Sequence, residues 1–245
     1  MYPSVVNRMF EPPPPAQIPS SAPRAWRTIR GVNNVDVAAI VRDGYDQIAE
    51  QYMAVISRPR SADPRDVWTG HLLQRLAPGS TVLDLGCGPG VPTAAAFVGA
   101  GHRVVGVDIS PGQIGLARRN VPAGSFHVGD VMEFAGEEGS FDAVMALYSL
   151  THVPRDRYTT LFARLVEWLR PGGWLLASMG ASDEPGWNEE DFLGFGHDNW
   201  TNGYDAPTNR RLLDEAGFDL EMAEIVADDT PFGPERWFWV LGHRR

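Results

Sequence analysis

Short apolar runs alternate with amphipathic stretches along most of this 245-residue chain. Thr81-Val82-Leu83-Asp84-Leu85 is an apolar run bounded by glycines and reads as a buried strand. Arg103 to Val107, Ser125 to Val128, Phe141 to Leu147 and Trp174 to Ser178 read as further strands. Helical patterns separate them. Thr93 to Ala100 is rich in small residues, Ser110 caps a helix through Ile114, Leu116 and Ala117, and Arg155 to Leu169 is strongly amphipathic before Arg170-Pro171-Gly172-Gly173. Thr208 to Ala216 reads as a helix ended by Gly217. Leu220 to Ala227 and Arg236 to Gly242 are two late strands joined tightly around Pro231 to Pro234, which predicts antiparallel pairing. This alternation predicts a doubly wound, mostly parallel α/β sheet with helices on both faces.

Two regions break the rhythm. Residues 1–30 are proline-rich without apolar periodicity and are expected to form a flexible arm ahead of one domain over 31–245. Within that domain, Asp36 is the expected N-cap of a helix over 36–58, stopped by Pro59, and Pro64 opens another helix through Leu72, Leu73 and Leu76. Residues 180–207 are long for a connection and dense in aromatic side chains, so a cap over a ligand is expected there.

In an open α/β sheet, ligands sit at the carboxyl ends of strands near the point where strand order reverses. Asp84-Leu85-Gly86-Cys87-Gly88-Pro89-Gly90 lies at such an end, and its glycines permit close backbone approach and positive φ. Asp108 follows the second strand and Asp130 the third. A carboxylate at the first position can accept from two ribose hydroxyls, one at the second from an adenine amino group. Asp84, just before the glycines, suits a cationic group. A dinucleotide fingerprint would need a third glycine at Val91, so nicotinamide chemistry is the weaker reading.

At these residues the chain resembles the class I S-adenosylmethionine-dependent methyltransferases. Val82 to Gly90 is similar to the family's first motif, Val105 to Ser110 to its second, and Gly129-Asp130-Val131 to its adenine-contacting segment. Phe141 to Val144 with Leu150 to Val153, and Leu169 to Gly173, resemble its fourth strand and the entry to its fifth. Tyr45 to Ala49 with Tyr52 resembles the lid helix of the quinone-biosynthesis type and of bacterial secondary-metabolism enzymes. The resemblance implies a seven-stranded sheet with an antiparallel last strand. It also implies S-adenosylmethionine, released as S-adenosylhomocysteine, held by Tyr45, Tyr52, Asp84, Gly86, Cys87, Gly88, Gly90, Asp108, Ile109, Gln113, Asp130, Val131, Leu147 and His152. Pro92 and Gln113 depart from the usual pattern. The expected activity is methyl transfer to a small aromatic or hydrophobic acceptor; the alternative is a cofactor-binding protein with lost or repurposed chemistry, such as a cyclisation.

Methyl transfer needs proximity, alignment and a dry site, with a base only where the nucleophile carries a proton. His152, His197 and Tyr45 are the candidate catalytic groups. Tyr148, Trp187, Phe195, His197, Trp200, Tyr204 and Phe232 are the candidate acceptor-binding residues. Ala146-Leu147-Tyr148-Ser149 lacks the acids of metal-dependent branches, so no metal is expected. It also lacks the Pro-Pro-aromatic motif of nucleic-acid amino methylation. A net charge of -10 disfavours a nucleic-acid partner. Cys87, the lone cysteine, excludes an internal disulfide framework and a multi-thiolate zinc site. With no apolar run long enough for a bilayer and no signal segment, a cytoplasmic monomer or homodimer without membrane contact is the expectation.

Overall fold

The computed structural model describes residues 36–60 and 63–245. The arm expected over 1–30 lies outside them. The strands are β1 (Thr81–Leu85), β2 (Arg103–Asp108), β3 (Ser125–Val128), β4 (Phe141–Ala146), β5 (Leu169–Gly180), β6 (Glu184–Glu189), β7 (Asn199–Gly203), β8 (Phe218–Thr230) and β9 (Gly233–Arg244). Seven of them form one sheet in the order β3-β2-β1-β4-β5-β9-β8, while β6 and β7 pair separately. The pairs from β3 through β5 are parallel, and β9 is antiparallel to both neighbours. The expected doubly wound sheet is therefore present, with its antiparallel last strand.

The helices are α1 (Val37–Gln47), α2 (Ala49–Ile56), α3 (Pro64–Leu73), α4 (Thr93–Gly99), α5 (Pro111–Asn120), α6 (Tyr158–Trp168) and α7 (Ala206–Ala216). Alternate side chains of one strand feed opposite cores, because the strand period is two. Val82 packs with Trp68, Leu72, Phe97, Ile114 and Ala117 from α3, α4 and α5. Its neighbour Leu83 packs with Phe162, Leu165, Trp168 and Leu213 from α6 and α7. Burying such side chains contributes about 1.5–3 kcal/mol each, which fixes the register of β1 and hence the position of the loop after it.

Three boundaries differ from the sequence reading. The helix expected over 36–58 breaks at Ile48 (φ -102°, ψ 6°) into α1 and α2, although Asp36 caps α1 as expected by accepting from the Ala39 amide. β5 begins at Leu169, which pairs with Phe141 before the register shifts, so the Arg170-Pro171-Gly172-Gly173 segment is a bulge within a strand. The 180–207 segment contains the β6–β7 hairpin.

Candidate active site

The order of strands reverses between β1 and β4. There, at the carboxyl ends, a cavity of about 340 Å³ opens beside the glycine loop. The loop folds back because the Gly86 and Cys87 amides both donate to the Val107 carbonyl, at 2.8 and 3.1 Å. Gly86 has φ +70°, and a Cβ there would fall 2.3 Å from the Ser149 Cβ, so only glycine fits.

Asp108 ties this loop to the next helix: its carboxylate accepts from the Gly88 and Ser110 amides, both at 2.9 Å. Burial nevertheless pushes its pKa up to about 6, against the lowering by those two amides. Asp130 lines the same wall and accepts from the Met132 amide at 2.8 Å. Gln113, 1% exposed, also lines it, and neither its Nε2 nor its Oε1 has a hydrogen-bond partner among the described residues. Two orphaned buried atoms facing a cavity are costly unless a ligand satisfies them.

Of the residues expected around a cofactor, Tyr45, Tyr52, Gly86, Gly88, Asp108, Ile109, Gln113, Asp130, Val131, Leu147 and His152 line this cavity. Asp84, Cys87 and Gly90 sit behind it. Asp84 is buried, and burial followed by the Asp108 charge pushes its pKa up to about 7. Burial likewise pushes the Cys87 thiol up. Gly90 seats the loop on α5, where a Cβ would lie 3.3 Å from Ala117.

A second cavity of about 300 Å³ lies under the 180–207 segment. Tyr45, Tyr52, Tyr148 and His152 line both cavities and form their junction. The Tyr45 hydroxyl lies 2.8 Å from His152 Nε2, and His152 Nδ1 lies 2.7 Å from the Trp200 carbonyl. A carbonyl can only accept, so Nδ1 carries the proton and Nε2 accepts from Tyr45. Burial, opposed by the bond to Trp200, lowers the His152 pKa to about 4. Tyr148 has φ 56°, a strained backbone of the kind held at functional sites.

Of the expected acceptor residues, Tyr148, Trp187 and Phe232 line the second cavity. The other four lie outside its wall. The Phe195 ring packs against Phe232 with centroids 6.0 Å apart. Tyr204 packs on Tyr158 and under the Arg155 guanidinium. Trp200 reaches the site through its backbone carbonyl. The His197 carbonyl accepts from the Phe192 amide at 2.7 Å, which shapes the cap loop.

The sequence reading missed a charged network at the far end of this cavity. Arg60 donates to Asp63 and Asp228, Arg65 donates to Asp63, and the Tyr148 hydroxyl donates to Asp228 at 2.7 Å. Burial raises the Asp63 pKa, but the hydrogen bonds from Arg65 and Arg60 outweigh it and hold the carboxyl below its usual range. Asp46 was missed too. Its carboxylate accepts from the Ser110 hydroxyl at 2.9 Å and the Gly112 amide at 2.6 Å, docking α1 on the N-terminus of α5. Paired acids in a late strand (Asp228, Asp229) were the one available signal for the network.

Among the described residues, no cluster of three or more His, Cys, Asp or Glu stands in a metal-ligating arrangement. No helix described is long and apolar enough to cross a membrane.

Comparison with known proteins agrees with this geometry. Residues 82–173 match a methyltransferase-domain family, from β1 into β5. The 2-methyl-6-phytyl-1,4-hydroquinone methyltransferase of Synechocystis is 34% identical over 152 residues, covering 60% of this chain and 43% of that protein. The demethylmenaquinone methyltransferase of Symbiobacterium thermophilum is 31% identical over 146 residues, covering 54% and 56%. The chain thus spans about half the length of these relatives. The crystal structure of Burkholderia thailandensis 1,6-didemethyltoxoflavin-N1-methyltransferase, with its substrate and S-adenosylhomocysteine, superposes with a TM-score of 0.65 at 25% identity, covering 84% of this chain and 88% of that one. In its motifs, in the stretch shared with these relatives and in fold, the chain is similar to the class I S-adenosylmethionine-dependent methyltransferases.

Proposed function

We propose that the protein transfers a methyl group from S-adenosylmethionine to a small aromatic or apolar acceptor, without a metal. The observation that carries this reading is the junction of the two cavities at Tyr45, Tyr52, Tyr148 and His152. When bound, S-adenosylmethionine supplies a methyl group on a positively charged sulfur. The first cavity suits it: Gly86 and Gly88 expose backbone, Asp108 and Asp130 offer carboxylates, and Gln113 has two polar atoms without partners. Asp108 would hold the ribose hydroxyls and Asp130 the adenine amino group.

The chain's own contribution would be proximity and alignment, with donor and acceptor meeting end to end at the junction. A hydroxyl acceptor at the junction would donate to the Tyr45 oxygen, which already donates to His152 Nε2. As methylation acidifies that hydroxyl, its proton passes to Tyr45 and the Tyr45 proton to Nε2. A base of pKa about 4 suffices, because a methylated oxygen is a far stronger acid than a free hydroxyl.

The test is incubation of the protein with methyl-labelled S-adenosylmethionine and a small-molecule extract. Label should enter a small molecule. His152→Ala should slow the transfer by about 10²–10⁴-fold, and at saturating S-adenosylmethionine the wild-type rate should hold as pH falls through 6.5, declining only near pH 4. Transfer to no small molecule would overturn the reading. A normal His152→Ala rate would remove the proton path alone.

A further inference from the structure

The second cavity is not uniformly apolar. Trp187, Phe232, Trp237 and Tyr148 form aromatic walls. The charged lining comprises Arg60, Arg65 and Arg236 with Glu184, Asp228 and Glu235, none of which lines the first cavity. Arg65 is only 9% exposed. Its Nε and Nη2 are consumed by Asp63 and the Ile56 carbonyl. Its Nη1 has no hydrogen-bond partner among the described residues, and its guanidinium stands 6.0 Å from the Tyr148 ring centroid. Arg60, beside it, is engaged by Asp63 and by both Asp228 oxygens. Of these two neighbouring arginines only Arg65 keeps a free donor; Arg236, which also lines the cavity, is exposed to solvent.

Tyr52 supplies a second donor. Its hydroxyl has no hydrogen-bond partner among the described residues, and its ring lies parallel to Phe232 with centroids 6.2 Å apart. Burial pushes its pKa up to about 12, with the Arg65 charge as the leading opposing influence, so the phenol stays protonated and close to that guanidinium. Tyr52 lines both cavities, whereas Arg65 lines only the second. Because Arg65 does not line the first cavity, an oxygen held by its Nη1 anchors the acceptor from the acceptor side of the junction. A guanidinium edge is matched by a carboxylate or another ionised oxygen, and Asp63 holds this guanidinium in place while compensating part of its charge.

We propose that Arg65, through Nη1 and with the Tyr52 hydroxyl as second donor, anchors an anionic oxygen substituent on a planar aromatic acceptor. The proposal rests on the methyl-transfer reading of the same site, and S-adenosylhomocysteine binding separates the two. The probes are 2-naphthoate and its neutral counterpart 2-naphthamide. Each is titrated into full-length protein preloaded with S-adenosylhomocysteine and followed by tryptophan fluorescence, because Trp187 and Trp237 line the cavity. The carboxylate should bind about tenfold tighter than the amide or better. Arg65→Gln should erase that preference while amide and S-adenosylhomocysteine affinities hold. Tyr52→Phe, which leaves the ion pairs intact, should reduce the preference several-fold. Equal or tighter amide binding by the wild type, absence of both probes from the site, or an Arg65→Gln variant that retains the preference would overturn the proposal. Should Arg65→Gln not fold, the wild-type comparison and Tyr52→Phe decide alone. Failure of S-adenosylhomocysteine to bind the wild-type protein would instead overturn the methyl-transfer reading itself.

Discussion

Asp84 carries a burial cost that depends on pH. Its native pKa is raised to about 7, while the unfolded chain ionises near the ordinary 3.8. Below the unfolded value both states hold the proton and nothing is lost. As pH rises between the two values, the unfolded state releases its proton and the native state keeps it, so stability falls. Above about 7 the penalty is complete, of the order of a few kcal/mol. Asp84→Asn should therefore raise the melting temperature of ligand-free protein at pH 8, and the gain should vanish near pH 4. A variant less stable than wild type at pH 8 would contradict this. The acids at strand ends were legible because a carboxylate after a buried strand sits at a known edge of the sheet. Arg65 and Asp228 were not. The segment around Pro64 reads locally only as the start of a helix, and the network links Arg60, just before it, to Asp228, 168 positions away. Trp200 was singled out for its ring, yet it serves through a carbonyl, a role no side chain announces.

Strand and helix order was readable because buried strands are continuous apolar runs and their helices carry caps: Ser110 and Asp36 both cap as their positions predict. The break at Ile48 was hidden, since neither glycine nor proline marks it. The β6–β7 hairpin was hidden for the opposite reason: Pro185 and Gly186 interrupt its alternation, and a register shift follows. Together α1 and β7 close over the site. Gly44 makes that closure possible, because a Cβ there would lie 2.6 Å from the Asp198 carbonyl and 3.1 Å from Asn199 Nδ2. In an isolated helix, Gly→Ala would stabilise by about 1 kcal/mol. Here the backbone clash should win and lift α1 from the cap, carrying Tyr45 away from His152. Hydrogen exchange should then be faster over residues 37–47 in Gly44→Ala, despite its better helix propensity. Slower exchange would show that α1 does not depend on this contact.

On the scale of the whole molecule, two layers of helices hold a sheet whose strand order reverses between β1 and β4. The reversal opens the first cavity, and the segment after β5 builds the second against it. The fold and the donor side of the site were legible because they rest on short local motifs. The acceptor side was not, because its walls come from α2, the turn before α3, the cap and β9. The central claim is that the glycine loop, Asp108 and Asp130 form an S-adenosylmethionine site. Calorimetric titration of the wild-type protein and Asp108→Ala tests it most directly. One molecule per chain should bind the wild type, and Asp108→Ala, still folded by circular dichroism, should lose about 2–3 kcal/mol, roughly 30–150-fold in affinity. No binding to folded wild-type protein, or tight binding of NADH in its place, would contradict the account.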